Sequence, residues 1–475
     1  MNDPRAPLVA LARKETRALL PVWLATLGVL LTSTLSTSVI SDTILRTGPF
    51  PLLAYVAGVM AIGALSMGHE YAGGTLSSLL AAPVRRPHIF MIKVGVATTL
   101  IAMTALTAWW VALAPGAPLA IVLPPLGALL ITPWLTMLSR SALAGALFTV
   151  SGPAVIFVAT QVVVTRTYGL GPEATELART AWFGAMMVMA PTAAVLGWRR
   201  FMRLEAIDGD GQTIHMPAWL TRRQRVQRQH PAWVLVKKEI YLQQIAFVIT
   251  GIYLAAWVAV FWGGYLPESP GRMITVMPMT IIYFLVISVL VGSLASAEER
   301  QHGTREWQLL LPIAASTQWA VKCGVALLLA LLLGLVLPTL LIWLSATPEE
   351  VRYASFWWYR AVVPILVITT ASLYLSSLAG SGMRALAIAG PVLLVAVAAL
   401  EMISWSLSFG RALLWPPRAR TPEMWLVAIV VVLALLLWFG FVNHRAARTP
   451  ARRVAMQIAA IAGLLIAATV VLGPI

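Results

Sequence analysis

Thirteen long, almost uncharged runs govern what this chain can fold into. They lie at about 20–41, 49–69, 89–114, 118–138, 144–164 and 181–197 and, after a polar break, at 244–265, 271–297, 318–345, 357–379, 384–403, 424–442 and 455–474. A helix needs about 20 apolar residues to cross roughly 30 Å of hydrocarbon, so each run has about the length of a membrane span. The third and ninth are overlong, the sixth is short, and the split between the fourth and fifth is the weakest boundary. Charged residues make up 11% of the chain and apolar ones 59%, where soluble domains carry roughly 25% charged residues. Lipid is therefore the solvent of this fold. Met1–Leu8 is polar and the first run lacks a small-residue cleavage site, which argues against a signal peptide.

Charge orients the runs. With the N-terminus inside, 25 of the 34 basic residues face the cytoplasm, while the acids divide 10 to 8. A bias confined to Lys and Arg is the positive-inside pattern, so the +16 net charge needs no nucleic acid. The expectation is a multi-pass protein of the cell membrane, the inner membrane of a two-membrane cell, with a cytoplasmic N-terminus. None of the five lysines follows a glycine, so no phosphate-cradling GxxxxGK[ST] loop can form. The lone Cys323 excludes a disulfide framework and a thiolate zinc site within one chain. The six histidines are scattered, and no metal site is expected. Asp208-Gly-Asp-Gly211 starts like a calcium loop but lacks the downstream bidentate Glu.

The chain also repeats itself. Glu70, Gly74, Thr75, Leu80, Pro83, Lys93 and Gly95 recur 229 residues later as Glu299, Gly303, Thr304, Leu309, Pro312, Lys322 and Gly324. Upstream, Leu11–Glu15 (Leu-Ala-Arg-Lys-Glu) echoes Leu235–Glu239 (Leu-Val-Lys-Lys-Glu). This divides the chain into a first transmembrane half (1–198), a linker (199–229), a second half (230–443) and an additional terminal span (444–475). The fold class expected is an all-α polytopic membrane protein: two homologous six-helix halves, an extra C-terminal span, and short amphipathic helices on the cytoplasmic side.

Each repeated loop reads as one such short helix. Gly73 and Gly74 break the helix leaving the membrane, Thr75 and Thr304 offer N-caps, and Pro83 and Pro312 end the helix after about two turns. Leu76, Leu79 and Leu80 line one face of the first copy; Trp307, Leu310 and Leu311 line the second. Arg85 and Arg86 would anchor the first copy to anionic lipid, and Lys93 and Lys322 would snorkel to the interface. Segments 5–18 and 229–242, carrying Arg13, Lys14, Glu15 and Lys237, Lys238, Glu239, read as helices lying in the interface before the first span of each half.

With this organisation the sequence resembles the ABC-2 type permeases, the membrane subunits of ABC exporters, across both halves. The resemblance implies an elbow helix at each of the two interfacial segments. It also implies a coupling helix that docks on an ATPase, carried by Glu70, Gly74, Thr75, Leu79, Leu80 and Pro83 and by Glu299, Gly303, Thr304, Leu310 and Pro312. The chain would then need a separate ATP-binding subunit, in two copies, which holds the ATP and magnesium. It would have no cofactor, catalytic residue or nucleic-acid partner of its own. The second copy departs from the first in having Ala314-Ala315 where Arg85-Arg86 stand.

The substrate pathway is less specified. Thr32, Thr34, Ser36 and Thr37 form a hydroxyl cluster in the outer half of the first span, and Glu401 is the most membrane-embedded carboxylate. Hydroxyls there bond back to the i−4 carbonyl as readily as they line a cavity. A lipophilic drug, antibiotic or lipid would suit such a path. The competing function is a proton-coupled multidrug antiporter, but the second-to-third-span loop lacks an Asp-Arg pair and only Glu401 could carry protons. An intramembrane enzyme would need clustered Asp or His, which the sequence lacks.

Overall fold

A computed structural model describes residues 6–39, 50–111, 118–169, 172–204, 231–262, 271–301, 313–345, 348–382, 384–386, 388–389, 422–446 and 449–472. The described residues are helical throughout, with short turns and no strand. Six long helices come first: α1 (Ala6–Val39), α2 (Phe50–Ala72), α4 (Arg86–Trp110), α5 (Pro118–Ser139), α6 (Ala142–Tyr168) and α7 (Pro172–Met202), with the short α3 (Leu76–Leu80) between α2 and α4. Beyond the linker follow α8 (Pro231–Leu242), α9 (Gln244–Trp262), α10 (Gly271–Gln301), α11 (Ala315–Leu331, continued through Leu337–Ser345), α12 (Pro348–Ser376), α13 (Pro422–Arg445) and α14 (Ala451–Leu472). Five of these carry a long enough apolar stretch to cross a membrane: Arg86–Trp110, Pro118–Ser139, Glu176–Met202, Met279–Ala297 and Ala315–Leu344. The protein is a polytopic helical membrane protein. Trp109 and Trp110, both exposed at the end of α4, suit an interfacial belt.

The fourth run and the overlong ninth remain single helices by local adjustment. In α5, Pro124 and Pro125 remove backbone donors, and a π-helical turn follows at Gly127–Ile131. In α11 a π-helical turn at Leu332–Val336 joins the two α-helical parts. An added residue per turn of this kind absorbs a break in the hydrogen-bond ladder without ending the helix. The short run at 181–197 lies well inside the 31-residue α7.

The first interfacial segment departs from expectation. The described part of this segment, residues 6–18, is not a separate helix: α1 runs through 34 residues with Pro21 inside it, roughly 51 Å at ~1.5 Å per residue. That exceeds the hydrocarbon thickness, so its N-terminal end projects beyond the core. The second segment does break. Helices α8 and α9 meet at a 55° bend, where Gln243 donates from its side chain to the Val291 carbonyl on α10 at 3.0 Å.

One buried apolar core runs through both halves, from Leu19, Tyr55 and Ile101 to Ile287, Leu294 and Ile365. Lipid offers apolar side chains no reason to prefer one another, so close approach of backbones does the packing. At Gly292, an added Cβ would lie 2.5 Å from the Thr369 carbonyl oxygen. On the same contact, the Ser296 and Ala297 amides donate to the Ser376 hydroxyl at 2.9 and 3.0 Å.

Candidate functional site: two buried ionic clusters

The loop after α2 forms as its glycines require, but its capping is different. Gly74 adopts φ +61°, the left-handed conformation that ends a helix. The Thr75 amide then bonds the Glu70 carbonyl at 3.0 Å and the Gly74 amide the Tyr71 carbonyl at 3.3 Å. This turn folds Thr75 back over the last turn of α2, and its hydroxyl donates to Glu70 Oε2. Thr75 is therefore not a side-chain cap of α3; it secures the carboxylate. The α3 helix is five residues long, shorter than two full turns, with Leu79 buried and Ser77 and Ser78 exposed.

Glu70 itself is not on the surface. It is 1% exposed. Lys14 of α1 donates to its Oε1 at 2.9 Å and Lys93 of α4 at 3.0 Å. Lys93 also donates to Glu15 Oε1 at 2.7 Å and to the Ser66 carbonyl at 3.3 Å. Its side chain is fully buried, so it does not snorkel. Two carboxylates face two ammonium groups, and each charge has an opposite partner within 3 Å. Three of these charges, Glu15, Glu70 and Lys93, are buried, which is tolerable only with such pairing and hydrogen bonding.

The second half holds the same arrangement. Lys238 of α8 lies 2.5 Å from Glu299 Oε1, Lys322 of α11 lies 2.7 Å from Glu299 Oε2, and Lys322 lies 3.2 Å from Glu239 Oε1. Lys322 also donates to the Ala295 carbonyl at 2.6 Å, the counterpart of Ser66. Glu239, Glu299 and Lys322 are all buried. Glu70 and Glu299, which direct docking on an ATPase would place at the surface, are internal, and the expectation that Lys93 and Lys322 snorkel is corrected, since both are buried. Sequence reading missed that the repeated Lys and the upstream Lys-Lys-Glu or Arg-Lys-Glu belong to one site. The signal was present, because acid, base and upstream pair recur together.

Burial pushes the Glu70 carboxyl up, but the neighbouring His69, the Lys93 charge and the Thr75 and Lys14 hydrogen bonds outweigh it and hold the group well below the usual carboxylate range. At Glu299 burial likewise pushes upward, and the charges of Lys322 and Lys238 reverse the sign. Glu15, His69 and Glu70 each offer one donor atom within 4.8 Å of one another. The two lysines already neutralise those carboxylates, so the set is not assigned as a metal centre.

Other expected residues fall elsewhere. Arg13 is exposed on α1. Lys237 stacks over the Trp233 ring at 5.9 Å. Arg86 donates to the Met202 carbonyl at 2.7 Å, closing the end of α7 instead of reaching lipid. Leu79 packs with Met67, Ile89, Met137 and Phe201, while Leu80 is half-buried and Pro83 exposed. Gly303, Thr304, Leu310, Pro312 and Glu401 lie outside the described residues, and Thr32, Thr34, Ser36 and Thr37 sit on α1 with side chains outside the description. Comparisons with protein-family models, with curated proteins and with solved structures found no match to this chain.

Proposed function

We propose that this chain is the permease of an ATP-driven exporter of the ABC-2 type, with the whole translocation pathway built from two fused, homologous six-span halves and a thirteenth span. In this reading the N-terminus and the 199–229 linker face the cytoplasm. A separate ATP-binding subunit, in two copies, docks at the two cytosolic loops and supplies hydrolysis, and the cargo is a lipophilic drug, antibiotic or lipid. The observation that supports it is the matched pair of ionic clusters. Each ties the amphipathic segment of its half (Glu15 and Lys14, or Glu239 and Lys238) to the two helices flanking the cytosolic loop (Glu70 and Lys93, or Glu299 and Lys322).

Such a link suits force transmission. A push on the loop bears on the helix ends that hold Glu70 and Lys93, and the buried pairs pass the displacement to α1. Because the pairs are charged and desolvated, they resist sliding more than apolar contacts of the same area. Glu70 and Glu299 thus act inside the permease, carrying motion from the loop, and the partner touches the exposed loop surface around Gly73, Ser77, Ser78 and Arg85. The test is reconstitution in liposomes with a candidate P-loop ATPase subunit from the same cell. Hydrolysis that rises on adding the permease, and efflux that requires both proteins, is the expected result. An ATPase that neither binds the chain nor responds to it would remove the reading.

A further inference from the structure

We propose that His69 is a proton-binding site: the ring is held as the doubly protonated imidazolium between Glu15 and Glu70, and the bound proton helps fasten α1 to α2 in the first half alone. His69 Nδ1 lies 2.6 Å from the Leu65 carbonyl oxygen. A carbonyl only accepts, so Nδ1 carries a hydrogen. In a neutral ring Nε2 would then present a lone pair. Yet Nε2 lies 3.1 Å from Glu70 Oε1 and 3.5 Å from Glu15 Oε2, where a lone pair would face two anionic oxygens. A second hydrogen turns both contacts from repulsive to attractive. Glu15 is fully buried and His69 nearly so, and neither Glu15 Oε2 nor His69 Nε2 has a hydrogen-bond partner among the described residues. They are oriented toward each other across a space that one proton fills.

Among the described residues, the other charged groups around the ring are these. Lys14 and Glu15 come from α1, Glu70 from α2 and Lys93 from α4. Helix α5 brings no charged residue, and the charges of Arg200 and Arg140 bear on Tyr71. A divalent metal at the same atoms would add two charges beside two ammonium groups; a proton adds one. At the position matching His69, the second copy has Glu298, so that position offers no imidazole to the second cluster. Loss of the proton would loosen α1 from α2 and leave the Glu239–Glu299–Lys322 cluster as it was. This makes the two halves respond differently to pH.

The experiment uses the full chain with 15N-labelled histidine in phosphatidylcholine–phosphatidylglycerol liposomes, followed by solid-state NMR across pH. The His69→Gln variant identifies its signal, and exposed His88 serves as reference. The expected result at pH 7 is a His69 ring protonated on both nitrogens. In Glu15→Gln, where one of the two anionic oxygens beside Nε2 is gone, the doubly protonated signal should weaken at the same pH. Amide protection over residues 8–20, corrected for the intrinsic base catalysis of exchange, should fall as the doubly protonated His69 signal is lost, stay constant in His69→Gln, and be unchanged over residues 232–243. A wild-type ring bare at Nε2 at pH 7, a signal that moves on adding EDTA, or protection over 8–20 unrelated to the doubly protonated His69 signal would each overturn the proposal. None of these readouts involves an ATPase, so failure of the permease reading would leave them intact.

Discussion

Replacing Glu70 by Gln separates a buried ionic link from a surface acid. The substitution keeps size and most hydrogen bonding but deletes one of two carboxylates facing Lys14 and Lys93. On a surface such a pair contributes ~0–1 kcal/mol. Breaking a buried pair from one side costs about 3–5 kcal/mol, because the remaining charge is left without its counterion. Two features place Glu70→Gln at the lower end. Lys93 retains Glu15 at 2.7 Å, and the Lys14 side chain, 45% exposed, can turn to water. The expected loss is about 3 kcal/mol, roughly a hundredfold in the folded-to-unfolded ratio at ~1.4 kcal/mol per decade. It is measured as the shift in an unfolding curve in mixed micelles with increasing SDS. Glu176→Gln is the control, since Glu176 is largely exposed and meets Arg179 at 3.6 Å. Removing Lys93 as well, as Met, should recover part of the loss, because the deleted charges then balance. If Glu70→Gln matched Glu176→Gln within about 0.5 kcal/mol, or the double variant simply added both losses, the ionic-link argument would be refuted.

Three further outcomes follow from the same contacts. Glu70 and Glu299 are held below the ordinary carboxylate range in the fold, so the stability they confer is present above the unfolded pKa of about 4.3 and is lost as pH falls through the folded value; the SDS midpoint should drop on acidification below about pH 4.5, and less so in the double Gln variant. Gly292→Ala drives a Cβ to within 2.5 Å of a backbone oxygen on α12, which cannot swing aside, so α10 and α12 should separate and the yield of folded protein in size-exclusion chromatography should fall, while Gly251→Ala, with open space around it, should not change it. Gln457→Leu removes the amide that bonds Asn443 in both directions at 3.1 Å and accepts from Tyr374 at 3.0 Å; α14 should loosen from α13 and α12 at a cost of about 1–2 kcal/mol, read as a lower SDS midpoint.

Much of this was legible in the residues. Apolar run length follows from bilayer thickness alone, which is why every described long helix falls on a run read from the sequence, and why the run at 181–197 was extended and not removed. Gly74 announced the end of α2 because a left-handed residue there favours glycine. The recurrence of Glu, Lys and the upstream Lys-Glu pair was likewise visible as a pattern of letters. What the pattern could not say was where the letters meet. Lys14 and Glu70 are 56 positions apart and Lys93 and Glu15 are 78, so their contact depends on how α1, α2 and α4 pack. Burial is also a property of three helices together: a lysine near the end of a span reaches water if its neighbours leave a path, and here α1 closes it. The same holds for Pro21, which local rules would use to end a helix but which packing accommodates within an unbroken α1. Sequence determined how many apolar segments there are and where the chain turns, since those depend on neighbours a few residues away. Tertiary structure alone decided that the repeated acids are internal counterions, because desolvation is set by whatever distant segment comes to lie against them.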